Sequence, residues 1–381
     1  MEEKYALIVA SVASMIEQFN MHNIRLLQEQ GYTVHVAANF EKGNTISNER
    51  MVQLRKELAA QNVQFFQIDF SRNAFDIRGH AKAYSQLKKI SKLYDYSIMH
   101  CHSPIGGVVA RLVFRNTPTK VIYTAHGFHF FQGGKKLEWL LFYPVEYICS
   151  YFTDVLITIN NEDYQVAKGK FHAKQVYKIN GVGIELEKFI SNRGDKEEIR
   201  KQYHIKQDDF VLFSIGELSD RKNHIVILEA LKEIEDPTIK YFIIGQGRNQ
   251  EKLEQFISKN QLDKNVFLLG YQKRVDQILP MADLFCFPSK QEGLPVALME
   301  AMATGLPCFV SDIRGNNELI DENGGVLHSP MDIEEVQNKL KILKESNLEA
   351  MAMYNLEKIK EFSITEVATD MNEIYKIFNM K

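Results

Sequence analysis

Short apolar runs, rich in β-branched and aromatic residues, recur along this chain with helical patterns between them. YALIVA, TVHVAA, VQFFQID, YSIMHCH, KVIYTAH and DVLITI form one series; FVLFSIG, KYFIIG, VFLLG, DLFCFP and PCFVSD form a second after residue 200. Such runs do not alternate polar with apolar side chains, so both faces of each strand must be covered. That is the condition of a parallel sheet with helices on either side. The series occurs twice, which predicts an α/β chain of two Rossmann-like, doubly wound domains; 381 residues are also too many for one ordinary core. Open parallel sheets bind ligands beyond the carboxyl ends of their strands. Two such domains facing each other would make a cleft, and the loops after the strands are where chemistry is expected.

The stretch NGVGIELEKF (180–189), followed by the polar SNRGDKEEIRKQYHI, sets the hinge near 180–195. The expected domains are 1–185 and 196–362. A last helix over 363–381, with Ile364, Val367, Met371, Ile374 and Ile377 at apolar positions, is expected to pack back toward the first domain.

Bulk properties exclude some classes. Apolar content of 45% with 25% charged residues is ordinary globular composition, and a net charge of -3 gives a nucleic-acid partner no electrostatic support. Cys101, Cys149, Cys286 and Cys308 lack zinc or redox spacing and read as buried thiols of a reducing compartment. MEEKYALIVASVAS starts acidic with a short apolar centre, so it reads as a first strand rather than a signal peptide. No run reaches the ~20 apolar residues of a membrane span. A cytoplasmic location is expected, with peripheral contact on the inner face of the cell membrane.

The segment FPSKQEGLPVALMEAMATGLP (287–307) carries the clearest local chemistry. A strand ends at Ser289, a loop holds Glu292, Gly293 and Leu294, and Pro295 suits a helix first turn. The helix runs to Gly305, a residue type that caps helix ends. A glycine beside a helix start lets a ligand approach backbone N–H groups. From the loop, Glu292 can accept hydrogen bonds from sugar hydroxyls; from inside the helix, Glu300 can accept them from a ribose diol. In GELSDRKNH (216–224), Gly216 opens a strand-end loop that carries Arg221 and Lys222. Two cations there suit a diphosphate leaving group. Gly245 and Gly247 in IIGQGRN read equally as a tight turn, and Tyr271 in LLGYQKR as base contact or packing. In YTAHGFHFFQG (123–133), His126 follows a strand with Gly127 beside it, which favours a functional histidine; His100, His102 and His129 stay open. No acidic partner at ligand spacing supports a metal site among them.

These residues together resemble the retaining glycosyltransferases of family 4, which have the two-domain GT-B architecture. The resemblance rests on Glu292 and Glu300 within PSKQEGLPVALMEAMATGLP, on Arg221 and Lys222 after GELSD, and on NGVGIELEKF; HCHSPIGGVVARL and YTAHGFHFFQG resemble the branch that builds bacterial exopolysaccharide and capsule. It implies that Glu292 contacts the donor sugar near the reacting carbon, that Glu300 binds the ribose, and that Arg221 and Lys222 hold the diphosphate. It further implies that the backbone of Gly293 and Leu294 touches sugar and phosphate, that the Tyr271 loop cradles the base, and that His126 contacts the donor sugar. The family needs no metal and no cofactor. The chain departs from the family in its first strand-to-helix loop: SVASMIEQFNMHN (11–23) has Ser14 and Met15 where many members carry a Gly-Gly pair.

FHFFQGGKKLEWLLFYPVEYICSYF (128–152) places Lys135 and Lys136 beside Trp139 and further apolar residues. Cations next to an aromatic face suit a helix in a membrane interface, and so a lipid-linked acceptor; a helix packed on the sheet is the competing reading. The expected activity is transfer of a hexose or N-acetylhexosamine from a UDP-sugar to a lipid-linked glycan. A nucleotide-sugar 2-epimerase, a phosphorylase and a non-catalytic partner on the same scaffold are the alternatives.

Overall fold

The computed structural model describes residues 3–191 and 194–378. Expectations touching 1–2, 192–193 and 379–381, at the chain start, the hinge and the last helix, lie outside the described residues. The chain divides into two compact units, after Val182 and again after Glu366. The sequence pattern places these divisions at 185–196 and 362–363.

The first unit is built on seven strands: β1 (Lys4–Val12), β2 (Tyr32–Asn39), β3 (Gln64–Gln67), β4 (Tyr96–His102), β5 (Lys120–Ala125), β6 (Val155–Thr158) and β7 (Gln175–Lys178). They lie in the order β3-β2-β1-β4-β5-β6-β7, and every pairing is parallel. The second unit has β8 (Phe210–Ile215), β9 (Ile239–Ile244), β10 (Val266–Gly270), β11 (Leu284–Phe287), β12 (Cys308–Ser311) and β13 (Gly325–His328), in the order β10-β9-β8-β11-β12-β13. These pairings are parallel too. All eleven predicted strands occur. The two that were missed, β7 and β13, are edge strands. Only one side of an edge strand is paired, so QVYK and GVLH do not need the long apolar runs of the central strands.

Five helices bear on function: α1 (Ile77–Ile90), α2 (Pro104–Phe114), α3 (Lys136–Ser150), α4 (Val296–Ala303) and α5 (Ile364–Lys376). Asp76 caps α1 by accepting from the Gly79 N–H, and Pro104 opens α2, where a missing N–H is no loss. From Val367 onward α5 belongs to the first unit, where Val367, Met371, Ile374 and Tyr375 are buried.

In both units the strand order reverses between two adjacent central strands, β1 and β4 in the first and β8 and β11 in the second. Crossovers leave in opposite directions there, and the crevice beyond the carboxyl ends opens. At the first reversal the Ser11 and Ser103 hydroxyls lie 2.7 Å apart, and the Gly106 N–H donates to Ser11 Oγ at 3.0 Å.

One buried ion pair ties α2 to α3. Arg111 Nη2 lies 2.7 Å from Glu146 Oε2, its guanidinium stands 3.9 Å from the Tyr123 ring centre, and the Tyr123 hydroxyl donates to Glu146 Oε1 at 3.1 Å. Removing one member of a buried pair strands the other charge, whereas replacing both with apolar side chains does not. Glu146→Ala should therefore cost the first unit about 3–5 kcal/mol, and the double change Arg111→Met with Glu146→Leu far less. Denaturant unfolding followed by Trp139, the one tryptophan of the chain and a residue of this unit, checks both.

Candidate active site

In the second unit the loops after β8 and β11 flank the reversal and are tied to each other. The Lys290 N–H donates to the Arg221 carbonyl at 2.8 Å, and Asn223 Nδ2 donates to the carbonyls of Pro288 at 3.1 Å and Pro330 at 2.8 Å. Asn223 has a φ of 56°, a left-handed conformation that asparagine tolerates better than most residues. Its side chain holds the strained turn in place directly after the two cations. Nothing in the sequence pattern singled it out.

Both cations converge on Glu292. Arg221 Nη1 lies 2.9 Å and Lys222 Nζ 2.8 Å from the same oxygen, Oε1. Arg221 Nη1 also donates to the Gln291 carbonyl at 3.0 Å, and Arg314 Nε to the Glu292 carbonyl at 3.2 Å. Lys222 is buried, with Nζ 4.4 Å from the Phe287 ring centre. Burial pushes its ammonium below the ordinary value, and the Glu292 carboxylate pulls it back. A Cβ on Gly216 would meet the Lys222 stem at 3.1 Å, so the glycine leaves room for the lysine. Two positive charges against one carboxylate leave a surplus cation at this end of the sheet. Arginine has five N–H donors and an ammonium three, so both retain donors for a second anion.

Glu300 sits in the middle of α4, half-buried. Burial pushes its carboxyl up to about 7; Lys188 opposes this and Asp276 adds to it. Pro295 is the residue just before α4 rather than within its first turn, one position from expectation, and Gly305 follows the helix at a φ of 74°. Leu294 is buried, and Gly293 is approached by the next loop: a Cβ on Gly315, whose φ is 85°, would run into the Gly293 carbonyl. Arg314 and Gly315 were not anticipated. The signal was available, because they follow PCFVSD as the loop after β12. Gly245 and Gly247 pack against the backbone of Gly216 and Leu218, which supports the turn reading. Tyr271 is 71% exposed, just past the edge strand β10 and two strands from β8.

In the first unit, His126 follows β5 and His102 ends β4, with His102 Nδ1 3.1 Å from His126 Nε2. The His100 ring lies 4.1 Å from that of His102, tilted by 41°, and its two ring nitrogens meet the Tyr375 hydroxyl at 2.7 Å and Thr124 Oγ1 at 2.8 Å. Burial drives all three rings toward the neutral form, His100 to about 3 and His126 to about 4. The hydrogen bond between His102 and His126 thus joins two neutral rings. Among the described residues no three His, Cys, Asp or Glu side chains converge in a way that could hold a metal ion. His129 lies against the Phe142 ring at 4.8 Å. In the first strand-to-helix segment, which lacks the Gly-Gly pair, the helix Ala13–Phe19 starts directly after β1. Ser14 is buried, its N–H donating to Asn44 Oδ1 at 2.9 Å, and Met15 is half-buried. Lys135 and Lys136 are exposed at the start of α3, but Trp139 turns inward onto Phe130 at 5.1 Å and donates to the Phe131 carbonyl at 3.0 Å. The interfacial reading puts an aromatic beside the lysines on the outside; the exposed face of α3 is aliphatic. Among the described residues no helix is long and apolar enough to cross a membrane.

Comparison with known proteins agrees with this architecture. Residues 195–359 match the family model of glycosyl transferases group 1, and residues 8–160 match that of glycosyl transferase 4-like proteins. The chain is 34% identical over 330 residues to the glycosyltransferase EpsD of Bacillus subtilis, covering 84% of this chain and 82% of that one. It is 32% identical over 307 residues to the UDP-Gal:alpha-D-GlcNAc-diphosphoundecaprenol alpha-1,3-galactosyltransferase of Escherichia coli, covering 77% and 79%. The crystal structure of Anabaena HepE in complex with UDP superposes with a TM-score of 0.76 over 98% of this chain and 99% of the other, at 15% identity, a likeness of fold. Parallel sheets of this order, and relatives of this closeness over most of both chains, make the conclusion plain: the chain is a glycosyltransferase of GT-B fold and belongs to family 4.

Proposed function

We propose that this enzyme moves a hexose or N-acetylhexosamine, with retention of configuration, from a UDP-sugar to a lipid-linked glycan during assembly of a bacterial surface polysaccharide. The observation that carries the reading is the shared grip of Arg221 and Lys222 on one oxygen of Glu292 at the strand-order reversal. Supporting it are the relatives' names, one of which specifies UDP-Gal and a diphosphoundecaprenol-linked sugar, and the UDP bound in HepE.

In this reading the second unit binds the nucleotide-sugar and the first faces the acceptor. The spare donors of Arg221 and Lys222 take the diphosphate, the backbone of Gly216, Gly293 and Leu294 lies against phosphate and sugar, Glu300 accepts from the ribose diol, and Tyr271 flanks the base. The sugar C1–O bond to phosphate breaks as the acceptor oxygen bonds to C1 from the same face. The acceptor proton passes to the leaving phosphate oxygen, and UDP departs. Glu292 orients the sugar and offsets the positive charge that develops at C1. His126 receives the donor-sugar contact that the resemblance gives its position. With Arg221 and Lys222 on the leaving group, the reaction needs no metal. An epimerase would instead release nucleotide and altered sugar when incubated with UDP-sugar alone.

Charge separates the roles. Glu292→Gln frees the two cations, so it should hold UDP as well as the parent or better while losing about 10²–10³-fold in turnover. Lys222→Ala and Arg221→Ala should weaken both. Calorimetric UDP binding alongside steady-state kinetics checks this, and unaltered turnover in Glu292→Gln would sink the assignment.

Glu300 adds a pH signature. Its folded value, about 7, lies above the ordinary 4.5, so the folded state holds this proton more tightly. The stability it contributes is complete below 4.5 and is lost as pH rises through about 7. A ribose diol needs the ionised form. UDP affinity should therefore rise with pH up to about 7, changing about tenfold per pH unit below that point. Binding should release a proton, and Glu300→Gln should flatten both the affinity and the stability profiles. Calorimetry in buffers of different ionisation enthalpy measures the proton; a profile unchanged in the variant removes Glu300 from the ribose.

A further inference from the structure

The outer face of α3 is aliphatic. Leu137, Leu140, Leu141, Pro144, Val145 and Ile148 recur at three- and four-residue spacing and are all exposed, Leu140 to 71%. A helix that simply faced water would carry charge there. The acids of α3 lie elsewhere: Glu138 is half-buried, and Glu146 is sealed against Arg111. Lys135 and Lys136 stand at its N-terminal end, where positive charge opposes the helix dipole. Their position does nothing for the helix.

Behind this face lies an apolar cavity of about 490 Å³ between α1, α2, α3 and the loop after β5, a size within the roughly 300–1,000 Å³ of single-ligand pockets. Leu141, Phe142 and Val145 belong to its wall, so the cavity is continuous with the aliphatic face. Phe75 and Ile77, 74% and 78% exposed, form the opposite lip. At the floor, Glu146 and Tyr123 are occupied with each other and with Arg111. A peptide would need partners for its main-chain groups, and these walls supply few. A hydrocarbon chain needs none. The inner end is walled by Gly127 and Phe128, the residues after His126 at the carboxyl end of β5.

An occupant must thus be apolar along most of its length and reach the strand-end loops at its head; Lys135 and Lys136, exposed at the start of the helix that walls the cavity, favour one that also carries negative charge. We infer that this cavity seats the polyprenyl chain of the acceptor, with the α3 face as its outer wall. The inference rests on the lipid-linked acceptor proposed above and adds where, and by which residues, the lipid is held.

Trp139 reports on the site, since its ring packs on Phe130, a wall residue. The full chain is titrated with a long-chain polyprenyl phosphate in micelles, with a short-chain prenyl phosphate, and with phospholipid vesicles lacking polyprenyl. Saturable Trp139 quenching by the long chain is expected, about tenfold or more tighter than by the short chain. Ala81→Phe, at an exposed α1 position on the wall, should weaken it about tenfold. Val145→Lys, at the exposed lip, should do the same, and both variants should keep the parent's thermal shift with UDP. Equal affinity for long and short chains, or equal quenching by plain vesicles, overturns the seat, as does a folded variant pair that binds like the parent. Equal kcat/KM for short- and long-chain diphosphate-linked acceptors would also remove the seat while leaving the transferase reading intact. Long-chain binding without sugar transfer to any lipid-linked acceptor would do the reverse.

Discussion

A parallel strand cannot turn back on its neighbour through a hairpin; the chain must cross over the sheet before pairing again. Both units of this enzyme obey that constraint along every strand pairing. Crossovers cover both faces of each sheet, which is why the central strands are buried almost completely. They also deliver the strand-to-helix loops to one edge. Where crossovers diverge, at β1 with β4 and at β8 with β11, those loops part and leave room for a ligand.

The second unit fills that gap with charge. Glu292 satisfies two cations at one oxygen, and the backbone bond from Lys290 to Arg221 keeps the loops in register. Asn223 pins the turn behind the cations in a conformation few residues adopt. The first unit uses neutral groups at the equivalent edge. His100, His102 and His126 are kept uncharged by burial, and Tyr375 of α5 hydrogen-bonds the innermost ring. One edge therefore carries paired charges and the other neutral, hydrogen-bonded rings.

The same protein surface shows why residue type and exposure are separate questions. KKLEWLLFYPVEYICS leaves two readings open in the sequence, an interfacial helix and a helix packed on the sheet. Packing divided its residues: Phe130 and Tyr143 take Trp139 inward, and the leucines face out. The aromatic rings fill the larger volume, so the core selects them, and the smaller aliphatic side chains remain as the exposed face.

Strand periodicity, read from the sequence alone, determined the fold class and the position of all strands from β1 to β13 except β7 and β13; the family resemblance came from the motifs around Glu292, Glu300, Arg221 and Lys222. Unbroken β-branched runs admit only a doubly covered parallel sheet. The same reading placed Arg221, Lys222, Glu292 and His126 in loops after strands and Glu300 inside a helix, where the structure has them, because strand and helix position are local properties. It did not reach β7 and β13, two of the edge strands, whose one-sided pairing leaves a weaker pattern. It also missed Asn223, Arg314 and Gly315, whose contributions consist of contacts with residues 65, 22 and 22 positions away, at Pro288, Glu292 and Gly293. Only the tertiary structure brought both cations onto one carboxylate oxygen, raised the Glu300 carboxyl and hollowed the cavity behind α3. Each arises from burial and distance between segments far apart in the chain, and neither quantity exists until the chain is folded.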